Sequence, residues 1–116
     1  MPKIFFVLCA MSALSVPMTA TAFTGNQLLA LCEQPNRMSE GYCIGFISGI
    51  DEGFRAAEFL YRHLRPDEGH HCRPNGVNAG QLQDIVMRDL RQSPQRRHEP
   101  ASLLVLDSLR RAFPCR

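Results

Sequence analysis

Apolar residues recur along most of the chain at intervals of three and four, the spacing that gathers them on one side of an α-helix. The longest run predicts a helix from about Ser39 to Leu64. In it Cys43, Phe46, Ile47, Ile50, Phe54, Ala57, Tyr61 and Leu64 form a core-facing stripe about 100° wide. Before it, Thr24-Gly25-Asn26-Gln27 has the form of a capping box, with Thr24 as N-cap and Gln27 three residues on, and Phe23 with Leu28 forms a hydrophobic staple. A first helix therefore starts beside Thr24, turns Leu28, Leu31 and Cys32 to one side, and stops near Gln34-Pro35, because the residue before a proline is pushed out of helical geometry. Asn78 and Gln81 repeat the capping logic, and a third helix runs to about Gln92 with Leu82, Ile85, Val86 and Leu90 inward. Ser93-Pro94 ends it and can start one further turn. A fourth helix starts at Pro100, a residue favoured at the first helical position. Ala101, Leu104, Val105, Ser108, Leu109 and Ala112 form its face. Leu103, Leu106 and Phe113 widen that face, so burial on more than one side is expected. No alternating run is long enough for a strand. The pattern predicts an all-α, compact four-helix domain, with a fifth element if the turn after Pro94 is counted.

One apolar run differs. Met1-Pro2-Lys3 is a short positive start, Ile4 to Met18 is apolar except for Ser12 and Ser15, and Thr19-Ala20-Thr21-Ala22 supplies the small residues of a cleavage site. This is the three-part pattern of a secretory signal peptide over residues 1–22, and the run is short of the roughly 20 residues of a comfortable bilayer span. Cys9 leaves with it. Cleavage after Ala22 leaves a single domain, residues 23–116, in which twelve arginines face eleven acids. The basic residues are scattered among acids, aromatics are 8% and Trp is absent, so nucleic acid is not an expected partner. With the signal removed, no membrane association is expected.

Export changes the meaning of the remaining cysteines. Cys32, Cys43, Cys72 and Cys115 are an even set in a small domain, the arithmetic of two disulfides. Four cysteines allow three pairings. Helix geometry favours Cys32–Cys43, at the facing ends of two helices joined by a short turn, which leaves Cys72 in a loop for Cys115 at the terminus.

The chemistry-bearing residues give no active site. Ser48 lies between two residues of a helix, not on the strand-to-helix elbow of a hydrolase nucleophile. Asp51 and Glu52 are adjacent on a helix and point apart, while Asp67 and Glu68 lie in a loop. His70-His71-Cys72, with His63 nearby, is the one cluster that suggests Zn or Cu. A disulfide on Cys72 would leave His70 and His71 as polar loop residues. No cofactor is implied. Gln95-Arg96-Arg97-His98 reads either as a solvated connection or as a protruding basic element that enters a partner's cleft, where the planar arginine fork pairs with carboxylates. Gly41, Gly45, Gly49 and Gly53 recur every four residues of the long helix, each at about 1 kcal/mol of helix propensity. They read either as close packing of a neighbouring helix in the same chain or as the docking face of a second subunit.

Three segments carry a family resemblance. Cys43-Ile44-Gly45-Phe46-Ile47-Ser48-Gly49-Ile50-Asp51, Cys72-Arg73-Pro74-Asn75-Gly76-Val77-Asn78-Ala79-Gly80-Gln81-Leu82, and the stretch from Ala101-Ser102-Leu103-Leu104 to Ala112-Phe113-Pro114-Cys115 together resemble the Rap/Tai family of type VI secretion immunity proteins. The resemblance implies a periplasmic all-helical protein, often a homodimer, that binds a peptidoglycan amidase injected by sister cells and blocks its cleft without catalysis. The His70-His71 and Arg96-Arg97 pairs fall outside the shared pattern. Partner contacts are expected on the two polar connections, residues 66–73 with Asp67, His70 and His71, and residues 93–99 with Gln95, Arg96, Arg97 and His98. The alternative is a small periplasmic acid-stress chaperone, which would also be an exported, disulfide-bonded helical dimer.

Overall fold

A computed structural model describes residues 21–62, 64 and 72–115. The signal-like segment before residue 21, and with it His63, Asp67, His70 and His71, lies outside the described residues. Four helices follow in order: α1 (Gly25–Cys32), α2 (Arg37–Tyr61), α3 (Ala79–Gln92) and α4 (Ala101–Ala112), with a 3-10 turn over Pro94–Arg96. The fold is all-α. Thr24 and Pro100 form an isolated antiparallel bridge rather than a strand.

Both capping boxes form. Gln27 N–H donates to Thr24 Oγ1 (3.3 Å) and Thr24 N–H to Gln27 Oε1 (2.8 Å). Gln81 N–H donates to Asn78 Oδ1 (2.9 Å) and Asn78 N–H to Gln81 Oε1 (2.8 Å). Each box satisfies two donors at a helix start. α2 begins two residues earlier than its apolar pattern suggests, because Asn36 caps it: Asn36 Oδ1 accepts from Ser39 N–H at 2.9 Å. α4 begins at Ala101, with Pro100 just outside as its N-cap. In the turn before α3, Gly76 takes φ +92°, a left-handed conformation that an L side chain rarely adopts.

The core is Leu28 from α1, Cys43 and Ile47 from α2, Leu82, Val86, Met87 and Leu90 from α3, and Ala101, Leu104, Val105 and Leu109 from α4. Phe23 closes one side, its ring 5.2 Å from that of Phe46 and edge-on to it. Two expectations are corrected. The α2 stripe does not stay buried to its end, since Tyr61 is 58% and Leu64 75% exposed. The reason is length: at 1.5 Å per residue α2 spans about 37 Å and α3 about 21 Å, so the C-terminal part of α2 overhangs its neighbours. α4 buries a single face, for Leu103 is 58% exposed.

Two disulfides tie the helices. Cys32–Cys43 joins the end of α1 to α2 with a Cα–Cα distance of 5.2 Å, and Cys72–Cys115 joins the loop before α3 to the end of the chain at 4.9 Å. Beside the second, Cys72 N–H donates to the Phe113 carbonyl at 2.7 Å. By loop-closure entropy the shorter bridge is worth about 3 kcal/mol and the longer about 4 kcal/mol. In a domain this small, which buries only about 60–65% of its unfolded surface, that is a large share of the stability.

Candidate partner-binding surface

The connection between α3 and α4 is a rigid ledge. Its backbone is pinned to the start of α1: Asn26 N–H donates to the Arg97 carbonyl (2.8 Å) and Gly25 N–H to that of Glu99 (3.0 Å). These bonds satisfy helix-start donors that have no partner within α1. The Ala101 N–H donates to the Phe23 carbonyl (2.7 Å), which closes the junction. Gly25 is buried here, and a Cβ on it would stand 3.1 Å from the Arg97 carbonyl oxygen. Only glycine permits so close an approach of the ledge to α1.

Both arginines of the ledge are engaged inside the chain. Arg97 Nε donates to the Leu90 carbonyl (2.6 Å) and Arg97 Nη2 to that of Arg91 (3.1 Å). It therefore caps the C-terminus of α3, where carbonyls lack intrahelical donors and the helix dipole favours a cation. Arg96 forks onto Glu99 (2.9 and 2.8 Å) and reaches Asp107 Oδ2 at 2.6 Å. Arg111 continues the chain of charges, 2.7 Å from Asp107 Oδ2 and 3.0 Å from Asp89 Oδ2. The Arg96 hydrogen bonds hold the Glu99 and Asp107 carboxyls below their ordinary range, while the Asp89 hydrogen bond raises Arg111. The space among these residues is about 10 Å³, room for a water at most. Arg96 and Arg97 thus use donors within the fold, and Pro94, Gln95 and His98 are the exposed residues of this connection.

Of the other polar connection, Asp67, His70 and His71 lie outside the described residues, but Arg73 is described. It points inward, with Nη1 3.4 Å from the fully buried Asp51 and Nη2 3.2 Å from Glu52, and it donates to the Val77 carbonyl at 3.3 Å. Sequence reasoning missed this residue because its partners lie more than twenty positions earlier. The signal available was Asp51 itself, a carboxylate one step outside the apolar stripe of α2. Ser48 Oγ is buried and has no hydrogen-bond partner among the described residues. Among the described residues no group of three or more His, Cys, Asp or Glu is placed to hold a metal. None of their helices is long and apolar enough to cross a membrane.

The third surface is the outer side of α2. Gly41, Gly45, Gly49 and Gly53 are exposed, and nothing lies within 4 Å of where a Cβ would stand on any of them. None of the described helices packs closely against them. Met38, Tyr42 and Leu60 share this side and are 86%, 59% and 66% exposed.

The family model for Rap1a immunity proteins matches residues 24–115, from the N-cap of α1 to the last cysteine. Comparison with curated proteins and with solved structures gives no match.

Proposed function

The chain belongs to the Rap1a immunity protein family, and on that premise we propose that it is a periplasmic immunity protein that binds and occludes a peptidoglycan amidase delivered by type VI secretion. Immunity proteins are inhibitors that bind a cognate effector and are not enzymes. The amidase target, the periplasm and action as a homodimer are the finer parts of this reading. The observation that carries it is the family match across the whole helical domain. It favours immunity over acid-stress chaperoning.

The chain supports an exported site of action through its two disulfides and the signal-like pattern of residues 1–22. Cleavage after Ala22 would keep Phe23, the first of the described residues to pack on the core. Occlusion needs a surface that keeps its shape, because ordering loops on binding costs affinity. The ledge at residues 93–99 has that property. Its backbone is bonded to α1, Arg96 and Arg97 lock it from within, and Gln95 and His98 face outward. In this reading Gln95 and His98, with Asp67, His70 and His71 of the other connection, touch the toxin. Arg96 and Arg97 position the ledge.

The test is binding and inhibition of an amidase encoded beside this chain, by calorimetry and by peptidoglycan hydrolysis. Wild-type chain is expected to bind and block hydrolysis, and Gln95→Arg with His98→Glu to weaken binding at least about tenfold, as loss of a central contact does. Full hydrolysis in the presence of excess wild-type chain would end the immunity reading. Unchanged affinity in the double variant would remove the ledge from the contact surface alone.

A further inference from the structure

The two disulfides stand in unlike surroundings. Cys43 is fully buried in the core and Cys32 half-buried, whereas Cys72 and Cys115 are both exposed. Cys72 also stands in the wall of a cleft of about 330 Å³, a volume in the range of small-ligand sites. The rest of its described lining is Arg55, Glu58, Phe59, Arg62 and Arg73, three guanidiniums against one carboxylate. Arg55, Glu58 and Arg62 recur at three and four residues and so share one side of α2. Asp51 and Glu52, which pair with Arg73 and Arg55, do not line the cleft, and no ion pair joins Arg62 to another described residue. The surroundings of Cys32 have the opposite sign. The surface hollow there carries Glu33 and Glu40 against Arg37 alone.

A disulfide opens when a thiolate attacks one sulfur and the other leaves as a thiolate, so access to the first and the stability of the second decide which bridge reacts. At Cys32–Cys43 only Cys32 offers surface, and Cys43 would have to leave as an anion inside the apolar core, where a thiolate is disfavoured. At Cys72–Cys115 both residues meet solvent, and the arginines beside Cys72 attract an anion and stabilise negative charge on sulfur. We propose that Cys72–Cys115 is a thiol-exchange site whose arginine-lined cleft selects a small thiol bearing a carboxylate. The thiolate of that reagent attacks Cys72 Sγ, the sulfur on the cleft. The bond between Cys72 and Cys115 breaks, its electron pair leaves on Cys115 Sγ, and a mixed disulfide remains on Cys72. A second thiolate attacks the reagent's sulfur in that mixed disulfide, the reagent departs as its own disulfide, and Cys72 is released as a thiolate. The chain has then gained two electrons from two thiols, and both cysteines take protons from water. Opening unties the end of the chain from the segment before α3, while Cys32–Cys43 keeps α1 on α2. This stands apart from the immunity reading, and its test uses no toxin.

The oxidised mature chain is treated at low salt with 3-mercaptopropionate, 2-mercaptoethanol or cysteamine, whose second group is anionic, neutral or cationic. Alkylation at timed intervals and peptide mapping by mass spectrometry follow each bridge and locate the first adduct. Rates are compared at equal thiolate concentration and divided by those of the same reagent on a small neutral disulfide, which removes intrinsic nucleophilicity. Cys72–Cys115 is expected to open at least about tenfold faster than Cys32–Cys43, with the first adduct on Cys72. The normalised rate at Cys72–Cys115 should fall by about threefold from the anionic to the neutral reagent and again to the cationic one, and the spread should close in about 1 M salt. Arg55→Gln with Arg62→Gln, both exposed, should keep the helix content and the order of the two bridges but lose the spread. Should that variant fail to fold, the salt series on the wild-type chain reads the same charge effect. Opening of Cys32–Cys43 first, or of both bridges together, overturns the proposal. So does a first adduct on Cys115, which would route the attack away from the cleft, and so do equal normalised rates for the three reagents, which would mean that the arginines select nothing.

Discussion

Gly25→Ala places one methyl group where α1, α4 and the ledge meet. Its Cβ would stand 2.5 Å from Leu104 Cδ1, 3.1 Å from the Arg97 carbonyl oxygen and 3.2 Å from Arg97 Cα. Ordinary carbon contacts lie near 3.5–4.0 Å, so Leu104 must retreat by about 1 Å and the Arg97 backbone by several tenths. Neither move is free. Leu104 is 5% exposed and packed in the core. Arg97 is held by the 2.8 Å bond from Asn26 N–H, which lengthens as the ledge moves away. Overpacking of this kind costs about 1–3 kcal/mol, and a weakened hydrogen bond up to about 1 kcal/mol more. Against this, the stiffer unfolded chain returns about 0.4–1 kcal/mol. The net is a loss of about 2 kcal/mol, which in a domain of this size lowers Tm by about 8–16 °C. The same substitution at Gly45, which has open space around it, should raise stability by about 0.5–1 kcal/mol. Thermal and urea unfolding of the two oxidised variants, at protein concentrations low enough to exclude self-association, measures both. Two shifts of the same sign would refute the claim that the ledge and not the glycine stripe holds the tight contact.

Two further predictions concern the ledge. Arg97→Ala removes two donors from the α3 terminus and should cost about 1–2 kcal/mol, read as a Tm lower by about 5–15 °C; an unchanged Tm would mean that solvent serves those carbonyls as well. Glu99 and Asp107 have folded-state affinities for protons weakened by Arg96, so their contribution is complete above the ordinary carboxylate range and fades as pH falls through it and below. Tm should therefore drop more steeply below about pH 4 in the wild-type chain than in Arg96→Gln, and parallel Tm–pH curves would contradict the assignment.

What the sequence made legible was whatever local chemistry decides. Thr24 with Gln27 and Asn78 with Gln81 each lie within four residues, so both capping boxes could be read directly, and with them the starts of α1 and α3. Cys32 and Cys43 face each other across one short turn, so their bond followed from helix geometry. Long-range choices were not legible in the same way. Periodicity marks which side of α2 is apolar, but not how far its neighbours reach, and so it buried Tyr61 and Leu64, which lie beyond the end of the core. Arg96 and Arg97 illustrate the same limit in charge. Read as neighbours on a polar loop they look like one basic prong, yet each answers a different demand set by tertiary structure, two carboxylates for one and a helix end for the other. This changes how a charge-reversal experiment on the pair must be read. Arg96→Glu with Arg97→Glu would set a carboxylate against Glu99 and Asp107 and another against the negative end of α3, both destabilising. Loss of toxin binding in that variant would report a displaced ledge as readily as a lost contact. Gln95 and His98, exposed on the same backbone, are the positions where binding can be perturbed while the ledge stays in place.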